Sequence, residues 1–173
     1  MTVHHNAIII LGSSRTDGNT KEIVTRFNKD FNFEVVHLIE QDIGYYDYEH
    51  KNHDDDFFGI VGRLITKELI IFATPVYWYT MSAPLKTFFD RFSDLLRTRR
   101  DMIEKLKGKS MMVISCGSSA LDYDFYMPFR KTAEYLEMKY VGELHGWMTS
   151  DTVPEEVKIK IETFREHLKA LRT

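Results

Sequence analysis

One cysteine, Cys116, stands in the whole chain of 173 residues. This excludes an intramolecular disulfide framework and any zinc or iron–sulfur centre built from cysteine alone, and it suits a reducing compartment. No apolar run approaches the length of a membrane span, and the opening Met1-Thr2-Val3-His4-His5-Asn6 lacks the basic segment of a secretory signal, so a cytoplasmic protein with no membrane partner is expected. Strong charge is missing too. Lys and Arg number 23 against 26 Asp and Glu, a formal net charge of −3, which argues against nucleic acid as a partner. With no internal repeat, low-complexity tract or linker, and 43% hydrophobic residues, the sequence reads as one domain over residues 1–173.

Short apolar runs alternate with segments of helical period. Ala7 to Leu11, Glu34 to Ile39, Leu69 to Ala73, Met111 to Cys116 and Tyr140 to Trp147 read as five strands, the first and third apolar throughout, as strands covered on both faces are. Helices are expected over 19–29, after Asp56 as cap, after Ser82 as cap with Pro84 in the first turn, over 124–138, and after Thr152. The third carries Leu85, Phe88, Phe89, Phe92, Leu95 and Leu96 at three/four spacing, which predicts one long helix. The last carries Val157, Ile161, Phe164, Leu168 and Leu171. Strict alternation predicts an α/β fold, a doubly wound five-stranded parallel sheet of order 2-1-3-4-5 with helices on both faces. Its ligand crevice lies at the carboxyl ends of strands 1 and 3.

Three loops reach that edge. The first, Gly12-Ser13-Ser14-Arg15-Thr16-Asp17-Gly18-Asn19-Thr20, joins glycines, hydroxyls and an arginine to a helix start, an anion cradle of loop N–H groups and helix dipole. Asn19 followed by Glu22 is the pattern of a capping box. Five residues between the glycines and no lysine exclude a Walker A loop, and GxGxxG is absent, so a monophosphate is the better ligand. The second loop, Thr74-Pro75-Val76-Tyr77-Trp78-Tyr79-Thr80, offers planar side chains to wall a flat heteroaromatic ring, or to pack under a helix or subunit contact. The third, Ser115-Cys116-Gly117-Ser118-Ser119, is small enough for close backbone approach.

These loops, with Met81-Ser82-Ala83-Pro84-Leu85-Lys86 and Phe89-Asp90-Arg91, resemble the NAD(P)H-dependent FMN reductase and iron–sulfur flavoprotein group of flavodoxin-like proteins. The likeness covers essentially the whole chain in element order. It implies FMN as cofactor and NAD(P)H as co-substrate, with the phosphate at Ser13, Arg15, Asn19 and Thr20, the ring against Pro75 to Trp78, and Cys116-Gly117 near the ring's pyrimidine side. It further implies homodimers or homotetramers built partly from the helix after Ser82. Cofactor-binding residues are therefore expected at Ser13, Ser14, Arg15, Gly18, Asn19, Thr20, Pro75, Val76, Tyr77, Trp78, Cys116, Gly117 and Ser118. One departure matters. Where iron–sulfur members carry a cysteine motif, the connection after strand 2 reads Ile43-Gly44-Tyr45-Tyr46-Asp47-Tyr48, so no cluster is expected.

The resemblance implies an oxidoreductase passing hydride from NAD(P)H through flavin to a small acceptor (free flavin, quinone, azo or nitro compound). No dedicated catalytic residue is expected, because the cofactor carries the chemistry. The alternative is a flavodoxin-type electron carrier without NAD(P)H activity, to which a net charge of −3 lends little steering. His50, His53, Asp54, Asp55 and Asp56 read as a solvated loop and helix cap rather than a metal site. His4 and His5 are expected to be exposed. Arg97, Arg99 and Arg100 either read the 2′-phosphate of NADPH or complement a helix dipole. Asp122, Tyr123 and Asp124 border the flavin or, preferably, cap a helix.

Overall fold

The computed structural model describes residues 6–118, 121 and 123–170; the expectations for His4, His5, Ser119, Asp122, the Tyr123 side chain and Leu171 lie outside the described residues. Five strands, β1 (Ala7–Leu11), β2 (Glu34–His37), β3 (Leu69–Pro75), β4 (Ser110–Gly117) and β5 (Lys139–Trp147), form one parallel sheet in the order β2-β1-β3-β4-β5. This is the expected flavodoxin-like arrangement. The register sets Ile8 beside Ile70 and Leu11 beside Ala73, so β1 and β3 end together at one edge.

Alternation along each strand feeds two cores. Ile9, Leu11, Ile71, Ala73, Met112 and Ile114 pack against α1 (Asn19–Asn28) and α7 (Glu155–Ala170) through Ile23, Val24, Phe27, Val157, Ile161 and Leu168. Ile8, Ile10, Ile70, Phe72 and Val113 face the opposite layer, formed by α2 (Phe57–Leu64), α3 (Ala83–Asp90), α4 (Phe92–Thr98), α5 (Arg100–Glu104) and α6 (Met127–Tyr135). Burial of both strand faces explains why β1 and β3 are apolar at every position up to Ala73; each Ile so buried contributes about 1.5–3 kcal/mol.

The long helix expected after Ser82 is instead three short ones. The turn at Arg91 tightens, with the Asp94 N–H bonding the Arg91 carbonyl three residues back at 3.0 Å. Arg91 is fully buried although the sequence periodicity passes over it as a polar position. Its guanidinium donates to Asp55 and Asp94 and to the carbonyls of Gly44 (3.0 Å) and Asn52 (2.6 Å). His50 Nδ1 lies 2.6 Å from Asp94. The acidic, His-rich stretch is thus no wholly solvated loop. It is clamped from within, which corrects that expectation.

Capping also differs in detail. The Phe57 N–H is capped by Asp55 at 3.0 Å, while the Asp56 carboxylate accepts from Asp42 N–H at 2.7 Å. The Thr152 hydroxyl donates to the Thr149 carbonyl at 2.7 Å rather than capping α7. Residues 123–126 form a 3₁₀ turn before α6, so the helix expected over 124–138 is shorter.

Candidate functional site

The β1–α1 loop is anchored from below. Gly12 N–H donates to Ala73 O at 2.8 Å, and the Ser82 hydroxyl donates to Gly12 O while accepting from Leu85 N–H at 3.4 Å. A Cβ at Gly12 would stand 2.6 Å from Leu85 Cβ, so this glycine serves the docking of α3 rather than a ligand. Beyond it, Ser13 is buried and its Oγ accepts from Arg15 N–H at 3.3 Å.

The expected capping box is not made. Gly18 is the N-cap of α1 and offers no side chain, while Glu22 turns to Arg26 at 2.6 Å. The N–H groups of Asn19, Thr20 and Lys21 consequently have no partner among the described residues. Open donors at the positive end of a helix, beside the Arg15 cation, attract a phosphate.

Across the crevice, β3 runs into a two-residue turn. Tyr77 N–H donates to Thr80 O at 3.0 Å and Thr80 N–H returns to Tyr77 O at 3.1 Å. Trp78 and Tyr79 occupy the two central positions with φ of 49° and 62°. That is the left-handed pattern of a type I′ turn, where Asn-Gly is usual. Both rings face solvent, Trp78 at 92% exposure. Pro75 has no N–H, Val76 N–H donates to Cys116 O at 2.7 Å and Tyr77 N–H is used in the turn, which leaves the N–H groups of Trp78 and Tyr79 as the open donors of that segment among the described residues.

One cavity of about 250 Å³ gathers these elements, lined by Ser13, Arg15, Gly18, Asn19, Thr20, Pro75, Val76, Tyr77, Cys116, Gly117 and Ser118. Eleven of the thirteen expected cofactor-binding residues therefore share one space. Ser14 and Trp78 do not line it: Ser14 is exposed, and the tight turn carries the Trp78 ring outward. Hydroxyls, an amide, one cation and open N–H groups cluster at the β1 side, with an apolar and aromatic wall at the β3 side. That gradient fits a phosphorylated tail and a flat ring.

The Cys116 thiol is pushed up to about 11 by burial, with the Thr20 hydroxyl pulling modestly the other way, so it stays protonated and unreactive near neutrality. None of Arg97, Arg99 and Arg100 lines the cavity, and Arg99 pairs with Asp101 at 3.1 Å. Asp124 is exposed. Two residues carry roles that no local sequence pattern announces: Arg91, buried between Asp55 and Asp94, and His145 on β5, whose Nδ1 lies 2.8 Å from Ser115 Oγ.

Comparison with known proteins bears on the family and the fold. The family model for NADPH-dependent FMN reductases matches residues 6–150. YwqN of Bacillus subtilis (strain 168), whose name gives it provisionally as an NAD(P)H-dependent FMN-containing oxidoreductase, is 32% identical over 117 residues, 63% of this chain; the match spans 65% of that relative's length. Among solved structures, the Trp repressor binding protein of Bacillus subtilis superposes with a TM-score of 0.75 at 24% identity, covering 96% of this chain and 99% of that one. An FMN-dependent NADH-azoreductase from Bacillus anthracis, in complex with FMN, gives 0.68 at 12% identity, covering 95% and 97%. The two superpositions speak for the fold, and the family match over most of the sequence decides the kinship: the chain belongs to the NADPH-dependent FMN reductase family.

Proposed function

We propose that this chain binds FMN in the crevice between β1 and β3 and acts as an NAD(P)H-dependent oxidoreductase on a small acceptor such as a free flavin, quinone, azo or nitro compound. The observation that carries the reading is the set of open N–H groups at Asn19, Thr20 and Lys21, of which Asn19 and Thr20, with Arg15, line the same cavity as Val76, Tyr77 and Gly117. When bound, FMN supplies the hydride and electron chemistry.

The protein's part is to hold and orient. Ser13, Arg15, Asn19 and Thr20 would grip the phosphate by charge-assisted hydrogen bonds of about 1.5–3 kcal/mol each. Pro75 to Tyr77 would wall the ring, Trp78 N–H would donate to its polar edge, and Cys116 to Ser118 would back the pyrimidine side. Ser14 and the Trp78 side chain need a local rearrangement to make contact. Positioning and fixed dipoles suffice for hydride transfer, so the reading includes no dedicated catalytic side chain.

The same reading takes residues 1–173 as one domain in a reducing compartment and the working form as a homodimer or homotetramer. Exposed Ile39, Tyr45, Tyr48, Trp78 and Tyr79 on neighbouring loops support association. No described helix is long and apolar enough to cross a membrane.

The test is purification, a visible spectrum, identification of the released chromophore, and NAD(P)H oxidation under air without a partner reductase. FMN release with NAD(P)H turnover is expected. A colourless protein that ignores added FMN overturns the reading, and FMN binding without turnover points to the electron-carrier alternative.

A further inference from the structure

A hydrogen-bonded series of side chains stands directly behind the cavity wall. Ser115 on β4 and His145 on β5 are register partners, so their side chains share one face of the sheet. Ser115 is fully buried, and its Oγ lies 2.9 Å from the Tyr126 hydroxyl and 2.8 Å from His145 Nδ1. Burial pushes the Tyr126 hydroxyl up to about 12, so it stays protonated and can bond Ser115 throughout the ordinary pH range. Tyr126 is itself packed in the core and stacked edge-on against Phe125. The imidazole is therefore held at one edge by a partner that cannot move aside.

Its other edge meets Gly117. A Cβ built on Gly117 would lie 3.1 Å from His145 Cε1 and 3.5 Å from Nε2, with Val76 Cβ at 3.6 Å. The first distance is inside ordinary van der Waals contact. Gly117 is not among the residues at positive φ, so its backbone does not demand glycine. The imidazole does. Gly117 also lines the cavity, and the neighbouring Cys116 carbonyl accepts from Val76 N–H at 2.7 Å, joining this turn to the one across the crevice.

We propose that His145 is a positioning residue of the cofactor site: braced by Ser115, its ring fills the space behind Gly117 and holds the Cys116–Ser118 turn, and through Val76 the facing turn, against the polar edge of a bound flavin. The role rests on the FMN reading above. It is one of packing and hydrogen bonding, and it requires no change of charge on the ring.

A double-mutant cycle tests it. FMN affinity, read by quenching of flavin fluorescence, is expected to fall about tenfold in His145→Ala and about tenfold in Gly117→Ala, yet the double variant binds no worse than His145→Ala, because the new methyl enters the vacated space. Held donors matter most to the reduced ring. His145→Ala therefore loses about tenfold more affinity for reduced than for oxidised FMN, which makes the two-electron midpoint potential about 30 mV more negative. His145→Gln, with an amide to meet Ser115, recovers part of both.

Melting of the FMN-free proteins supplies a readout independent of cofactor: Gly117→Ala lowers the melting temperature, and the decrement vanishes in the His145→Ala background. Should His145→Ala not fold, His145→Ser, which also vacates the space of the ring, carries the cycle. Additive losses, or an unchanged affinity and potential in His145→Ala, overturn the role while leaving FMN binding intact. Failure of the unmodified protein to bind FMN overturns the functional reading and takes the role with it.

Discussion

At the scale of single residues, Trp78 and Tyr79 show a cost accepted for position. Each holds a left-handed backbone that L side chains resist by about 1–2 kcal/mol, in a turn where Asn-Gly is unstrained. The double substitution Trp78→Asn, Tyr79→Gly is accordingly expected to stabilise the FMN-free protein by about 1–2 kcal/mol in chemical denaturation. It should also lower NAD(P)H turnover, the trade expected where strain serves function. Unchanged stability would show that the turn is not strained. Cys116 yields a second expectation from its environment. With its thiol raised to about 11 by burial, it should label far more slowly than a free thiol at pH 8 in the native protein, and at an ordinary rate once unfolded. The sequence places this cysteine close to the end of β4. It did not show the Thr20 hydroxyl beside it, from a helix start almost a hundred positions away.

At the scale of elements, the helix after Ser82 separates what periodicity reveals from what it hides. Ser82 and Pro84 announce the start of α3 because capping and proline placement are local. The break at Arg91 is not local. The spacing of Leu85, Phe88, Phe92 and Leu95 continues across it, and the inward turn of the guanidinium depends on Asp55, 36 positions earlier in the chain. For Asp55, burial pulls the carboxyl upward, but hydrogen bonds from Arg91, Gly44 N–H and Phe57 N–H outweigh it and hold the group below the usual carboxylate range. A folded value below the unfolded one means that the pair stabilises above roughly pH 4, the unfolded value, and that this contribution is lost as pH falls through the folded value. Asp55→Asn leaves a buried cation short of a partner and is expected to cost about 3–5 kcal/mol at pH 7. The difference from the unmodified protein should narrow in acid, read as denaturation midpoints between pH 7 and pH 3. A constant difference would place the stabilisation elsewhere.

At the scale of the whole molecule, the cavity was legible because the fold turns sequence distance into proximity by a simple rule. In a doubly wound parallel sheet every segment that follows a strand emerges at the same edge, and β1 and β3 lie side by side there. Ser13, Arg15 and residues 18–20 therefore meet 75–77 and 116–118 although more than a hundred positions separate the first from the last. What the rule cannot supply is orientation within a turn, which is why Trp78 faces outward, or support from a neighbouring strand, which is why His145 left no trace in local pattern. The same rule makes a prediction about ligand-linked stability. A ligand that binds only the folded state at a hundred times its dissociation constant adds about 2.7 kcal/mol. If the open N–H groups of α1 and Arg15 take a phosphate, FMN should raise the melting temperature, riboflavin should raise it far less at equal concentration, and Arg15→Ala should shrink the difference between them. Equal shifts with FMN and riboflavin would locate the affinity in the ring wall of Pro75 to Tyr77 and remove the phosphate from the account.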